Sequence, residues 1–128
     1  QNLFKKSQEI TKLICEKLDY VGTLCVEFLI TNSNELLYNE QSCRPHNSYW
    51  NSVNSHNVSQ FQGHIRAVCG LDFVNNKKIS NSEMLNILGF EILEYRKKTF
   101  KKNEFFYDYQ KKEPRDGRKM GHLTILKD

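Results

Sequence analysis

The sequence of 128 residues predicts an α+β fold: an antiparallel hairpin with packed helices, followed by a small β-rich C-terminal unit. Three observations carry this. Leu24, Val26, Phe28 and Ile30 alternate with Thr23, Cys25, Glu27 and Leu29, the two-residue period of a strand. Stretches on either side of that strand repeat apolar residues at helical spacing. Late in the chain the apolar residues come in short runs, at 84–88, 105–109 and 122–126, separated by glycine-, proline- and lysine-containing turns.

The elements follow in order. Residues 1–19 read as a helix, because Leu3, Ile10, Leu13, Ile14 and Leu18 form a stripe with lysines and glutamates opposite. Residues 19–22 break that pattern before the first hairpin arm. The second arm, 35–40, sets Leu36, Tyr38 and Glu40 on one face, with Ser33-Asn34 as a two-residue turn. A polar loop follows to Trp50. Asn57 is placed to cap a second helix with Val58, Phe61, Ile65 and Val68 on its stripe and Gly70 as its stop. His64 lies at the stripe's edge, a structural position, and His56 is read as surface. The polar run 72–82 is the expected boundary, giving domains 1–75 and 76–128. Residues 91–103 have no assigned element.

Composition bounds the function. Hydrophobic content of 38% supports one modest core, and no apolar run has the length of a membrane span. Cys15, Cys25, Cys43 and Cys69 are widely spaced and lack the paired spacing of zinc or redox sites, so reduced thiols in a cytosolic protein are expected. No secretory leader is expected, and the opening Gln1 fits a piece of something longer. The net charge of +4 is modest.

The chemistry begins on the hairpin. With the two-residue turn, Glu27 faces Glu40, their side-chain roots about 5 Å apart. Two such carboxylates repel unless a positive charge lies between them. Hard Mg²⁺, which takes one or two carboxylates and completes its shell with water and phosphate oxygens, is the economical answer; a solvated surface pair is the plainer one. Beyond it Pro45 constrains the backbone around Arg44 and His46. A fixed guanidinium suits phosphate or carboxylate oxygens, and an imidazole moves protons near neutral pH. The segment 111–119 holds five cations, Lys111, Lys112, Arg115, Arg118 and Lys119, around Pro114 and Gly117. Nucleic-acid phosphate, one metabolite phosphate and a merely solvated loop are all open on chemistry alone.

The motifs NEQSCRPHNS, SQF, HIRAVCGL and EPRDGRKMGHLTIL occur in that order over about Tyr20 to Leu126. In this they resemble the C-terminal part of the 5-(carboxyamino)imidazole ribonucleotide synthases, ATP-grasp ligases of purine biosynthesis. The resemblance implies the C-terminal half of an ATP-grasp domain and then the family's small C-terminal domain. It implies ATP-dependent carboxylation of 5-aminoimidazole ribonucleotide with bicarbonate through carboxyphosphate, in the cytoplasm, by an enzyme that is a homodimer at full length. Glu27 and Glu40 would hold Mg²⁺, or Mn²⁺ in its place, and Asn39 and Glu40 would meet ATP. Arg44 and His46 would be catalytic, at the bicarbonate and carboxyphosphate, with Asn47 and Ser48 supporting their loop. Lys111 and Arg118 would bind the substrate phosphate. Neither nucleic acid nor membrane is an expected partner.

The chain departs from the family at three points. Tyr49-Trp50-Asn51 stands where Gly-His-Trp is usual, Ser42-Cys43 replaces Ala-Pro, and Gln110 occupies a customary glycine position. The family's N-terminal domain and the part of ATP-grasp that covers adenine have no counterpart here, so the chain alone is expected to be inactive. A basic nucleic-acid-binding module using the 111–119 loop is the alternative from a different class; it has no use for opposed glutamates.

Overall fold

The structure, a computed structural model, describes residues 2–127. It is α+β, with a two-stranded and a three-stranded antiparallel sheet among the described residues. The chain forms two compact units. One holds the residues up to Tyr49 together with Gln60–Asn75, the other Trp50–Ser59 and the residues from Asn76 onward. The division expected at 75/76 thus has an exception in 50–59. That segment is tied to the second unit because the Ser55 carbonyl accepts the Ile79 N–H at 2.8 Å and Tyr107 donates to Asn54 Oδ1 at 3.0 Å.

In the first unit, helix α1 spans Leu3–Leu18; Gln1, included in the expected helix, lies outside the described residues. Asn2 caps it by accepting the Phe4 N–H at 3.0 Å. Asp19 turns left-handed at φ 46°, and the Tyr20 N–H returns to the Cys15 carbonyl, which closes the C-terminus. None of its residues is buried; Leu13 and Leu18 are 53% and 52% exposed. Among the described residues the buried hydrophobic ones all lie in the second unit, so the apolar stripe of α1 is real but only partly covered, with Leu3, Ile10 and Ile14 half-buried.

Strands β1 (Cys25–Ile30) and β2 (Leu36–Ser42) make the expected hairpin, with two corrections. The turn is not the two-residue one. Thr31 and Glu35 still pair, through Thr31 N–H to the Glu35 carbonyl at 2.9 Å, leaving a three-residue loop with Asn34 left-handed at φ 62°. This loop pairs Ile30 with Leu36 and Phe28 with Tyr38, a register that by itself would not oppose the glutamates. The register then shifts between Glu27 and Phe28, where Asn39 is the extra residue of a bulge, and Glu27 becomes the partner of Glu40. The same bulge takes Glu40 off the face of Leu36 and Tyr38, where alternation alone had placed it, and onto that of Leu37.

Helix α3 spans Gln60–Val68 and ends at Gly70, whose φ of 63° lets the Leu71 N–H reach the Arg66 carbonyl at 2.8 Å. It starts later than expected. Asn57 and Val58 both precede its first turn, and the Asn57 side-chain oxygen accepts the Lys77 N–H at 2.6 Å. His64 is structural, as expected: Nδ1 accepts the Thr23 N–H at 3.1 Å. His56 is not a surface residue. It is half-buried, bridges Lys78 and meets Ser55 Oγ at 2.9 Å.

The second unit carries the core. Strands β3 (Asn81–Leu88), β4 (Glu104–Asp108) and β5 (Lys119–Lys127) are ordered β3-β5-β4. Being central, β5 is covered along its length, and Met120 to Thr124 are buried. Ile87, Ile92, Met120 and Leu123 form the core, with Tyr95, Phe100, Phe106 and Ile125 packed on it. Short helices α2 (Ser52–Ser55) and α4 (Ile92–Tyr95) complete the unit; α4 occupies part of the stretch the sequence left unassigned.

Candidate active site

The bulge at Asn39 makes the site. Glu27 and Glu40 are cross-strand partners, and the His46 ring reaches both: Nδ1 lies 3.3 Å from Glu27 Oε1 and Nε2 3.6 Å from Glu40 Oε1. The glutamates are 35% and 57% exposed at the side chain and His46 only 13%, so the ring is a fixed wall and the carboxylates face solvent. His46 is clamped at its backbone. Its N–H donates to Gln60 Oε1 at 2.8 Å, and its carbonyl accepts from Gln60 Nε2 at 2.7 Å. Gln60 is 6% exposed, and the pair of bonds locks the loop onto the start of α3.

Ser48, in the 3-10 turn Asn47–Tyr49, supports His46 directly: its Oγ lies 2.9 Å from Nδ1. It also lies 3.8 Å from Cys25 Sγ. Burial pushes the Cys25 thiol up, partly offset by the Ser48 hydrogen bond. Arg44 is exposed, its guanidinium donating to the Pro45 carbonyl at 3.1 Å. Asn39 is exposed at the bulge and Asn47 half-buried in the turn.

A divalent cation fits this donor set. Two carboxylates on paired strands flank the His46 ring, one at each nitrogen, and their solvent-facing hard oxygens leave room for further ligands, the kind of donor that Mg²⁺ takes. Sequence reasoning missed two residues of this site. Gln60 carries no periodic signal, although it lies within the SQF motif. Cys25 reads as an ordinary strand residue, but Cys25, Glu27 and His46 offer ligand atoms within 4.8 Å of one another.

The second unit holds the other expected cations. Lys111 Nζ donates to the Lys119 carbonyl at 2.6 Å, and the Arg118 guanidinium donates to the Glu113 carbonyl at 3.0 Å. The Arg118 N–H closes a turn on the Arg115 carbonyl at 3.0 Å. Both cations are therefore held by backbone carbonyls of one segment. Gln110, in the customary glycine position, is left-handed at φ 54°. Beneath the loop Trp50 packs edge-on against Tyr109, at 4.8 Å, and against His122, at 5.3 Å. Tyr109 Oη and His122 Nδ1 are 3.0 Å apart. Burial pushes Tyr109 up to about 12 and His122 down to about 4.

Comparison with known proteins finds relatives along most of the chain. The model of the ATP-grasp domain matches residues 1–61, and that of the phosphoribosylaminoimidazole carboxylase C-terminal domain matches residues 82–128. An N5-carboxyaminoimidazole ribonucleotide synthase of Bacillus subtilis is 39% identical over 124 residues, 96% of this chain and 33% of that protein. The crystal structure of the Staphylococcus aureus N5-carboxyaminoimidazole synthetase complexed with ADP superposes with a TM-score of 0.87 at 32% identity. It covers all of this chain, which spans 36% of it. The Aspergillus clavatus synthase in complex with ADP and 5-aminoimidazole ribonucleotide gives 0.85 at 27% identity, over 96% of this chain and 35% of that one.

The class that the chain resembles is the ATP-grasp family, whose domain model matches residues 1–61. Within it, the likeness is to the C-terminal part of the N5-carboxyaminoimidazole ribonucleotide synthases, and the chain spans about a third of the length of the curated relatives it matches.

Proposed function

We propose that this chain supplies the C-terminal part of a ligase that carboxylates 5-aminoimidazole ribonucleotide with ATP and bicarbonate. The observation that carries this is the convergence of Glu27, Glu40 and His46, in a chain similar to synthases solved with ADP and with that ribonucleotide. In this reading residues 1–75 belong to the ATP-grasp domain, 50–59 apart, and the remainder is the small C-terminal domain.

Phosphoryl transfer needs positioning and charge neutralisation more than covalent help from the protein. Glu27 and Glu40 would hold Mg²⁺, which would supply that neutralisation at the ATP phosphates. Asn39, projecting from the bulge, contacts the nucleotide. Arg44, whose guanidinium is open to solvent, binds bicarbonate as its oxygen attacks the terminal phosphorus and ADP departs. The ribonucleotide amine then takes the carboxyl carbon, phosphate leaves, and His46 receives the amine's proton. Gln60 and Ser48 keep the imidazole in place, and Asn47 fixes the turn. Lys111 and Arg118 grip the ribonucleotide phosphate, the guanidinium as a directed fork and the ammonium as a point charge.

The test is a chimera in which this chain replaces the matching C-terminal third of the Bacillus subtilis relative. It should restore purine-independent growth to a strain lacking that synthase. A folded, ATP-binding chimera that restores no growth would overturn the proposal.

A further inference from the structure

The thiol beside the carboxylates is not used by the reaction above. Cys25, Glu27 and His46 are nevertheless the one group of three potential ligands of this kind among the described residues, with ligand atoms within 4.8 Å of one another. We propose that these three residues form a site for a thiophilic divalent cation, Zn²⁺ by preference, with a fourth position open to solvent. The proposal goes beyond the carboxylation reading and does not depend on it.

Three features of the geometry support it. The first is spacing. Zn–S of about 2.3 Å and Zn–N and Zn–O of about 2.0–2.2 Å put tetrahedral ligand atoms roughly 3.3–3.7 Å apart. Glu27 Oε1 and His46 Nδ1 already stand at 3.3 Å. The thiol needs to close by about an ångström at most, which rotation of its side chain provides.

The second is the direction of the imidazole lone pair. The Ser48 N–H, which can only donate, points at His46 Nδ1 at 3.4 Å. That contact suits the tautomer a ligating Nδ1 requires, with the proton on Nε2, facing Glu40 Oε1 at 3.6 Å. A carboxylate behind the distal nitrogen is the usual way a ligating histidine is oriented. It leaves the Nδ1 lone pair directed at the Glu27 carboxylate, an unfavourable pair of acceptors that a cation between them would relieve.

The third is the bridging hydroxyl. Ser48 Oγ touches both Nδ1 and the Cys25 sulfur, so the thiol and the imidazole already share one small polar partner. A cation would exchange that contact for direct ligation.

Hardness then divides the site. Thiolate and imidazole select Zn²⁺ or Co²⁺, whereas two carboxylates with water suit Mg²⁺. Glu27 serves either ion but not both, so occupancy by Zn²⁺ takes Glu27 and His46 away from the Mg²⁺-nucleotide arrangement.

Co²⁺ titration of the purified chain, followed by absorption, tests this. The expected spectrum has a near-ultraviolet thiolate-to-cobalt charge-transfer band and the intense visible bands of four-coordinate Co²⁺, both erased by Zn²⁺ and retained in excess Mg²⁺. Cys25→Ser should abolish the charge-transfer band and weaken Co²⁺ binding roughly tenfold or more, while Cys43→Ser leaves the spectrum unchanged. Should Cys25→Ser fail to fold, His46→Gln must keep the charge-transfer band and shift the visible ones. The proposal is overturned by an absent charge-transfer band in the parent, by its survival in Cys25→Ser, by its loss in Cys43→Ser, or by an unaltered spectrum in His46→Gln.

Discussion

Acidification should destabilise the second unit through one residue, His122. It is 2% exposed, stacked on Tyr107 with ring centroids 4.6 Å apart, and its Nε2 has no hydrogen-bond partner. Burial therefore favours the neutral ring and lowers its pKa from 6.5 to about 4. Unfolding returns the ring to water and to its ordinary value. Between those two pH values the unfolded chain binds a proton that the folded one does not, so stability falls as pH falls. The contribution is fully present above about 6.5, and by linkage its loss reaches about 2 kcal/mol at pH 5 and about 3 kcal/mol at pH 4. His56, also lowered by burial and by Lys78, adds in the same direction. The carboxyl of Asp108, held low chiefly by its hydrogen bond from Arg96, acts only below the ordinary carboxylate range. Urea denaturation from pH 7.5 to 4.5 measures the slope, and His122→Gln isolates the residue, because the variant should lose most of the pH dependence. Equal slopes in parent and variant, or an NMR titration of the His122 ring with a midpoint near 6.5, would refute the reasoning.

Other expectations rest on single positions. Gly121→Ala places a Cβ 2.5 Å from the Tyr107 carbonyl oxygen and 3.3 Å from Ile92 Cδ1. It should cost about 1–3 kcal/mol in thermal or chemical denaturation, and a variant as stable as the parent would contradict that contact. Gln110→Gly relieves a left-handed residue and should raise stability by about 0.5–1 kcal/mol after the glycine's own entropy cost; a lowered melting temperature would count against it. Arg118→Ala in the chimera should raise KM for the ribonucleotide about tenfold to a hundredfold, the cost of a charge-assisted phosphate contact. Its KM for ATP should change little, and an equal rise in both would remove the assigned role.

The hairpin was legible because alternation over 23–30 is unbroken, and the Glu27–Glu40 pairing was found, but through a turn the chain does not use. A three-residue loop and a bulge at Asn39 replace the two-residue turn, and their displacements cancel at Glu40. Neither has a residue signature: Asn34 and Asn39 are both compatible with ordinary turn and strand positions. Asn57 has the chemistry of a cap, but its oxygen also meets the Lys77 N–H twenty residues away, a partner that no local pattern reveals. His122 opens the apolar run 122–126, directly after a basic segment, and nothing in that run marks it as buried. It is buried because β5 is the middle strand, and strand order is not written in any one strand's period. The apolar stripe on α1 was correctly found, yet periodicity reports which face is apolar and not whether this chain covers it.

In the proposed ligase, Glu27 and Glu40, paired across the bulged hairpin, are the cation-binding residues. The most direct test is the initial rate of ATP-dependent carboxylation of 5-aminoimidazole ribonucleotide by the chimera carrying Glu40→Gln. The substitution keeps the side chain's shape and removes only its charge, and the hairpin fold is checked by circular dichroism. The account predicts no turnover above background at saturating Mg²⁺, with the ribonucleotide still bound. Carboxylation at the unsubstituted chimera's rate would contradict it.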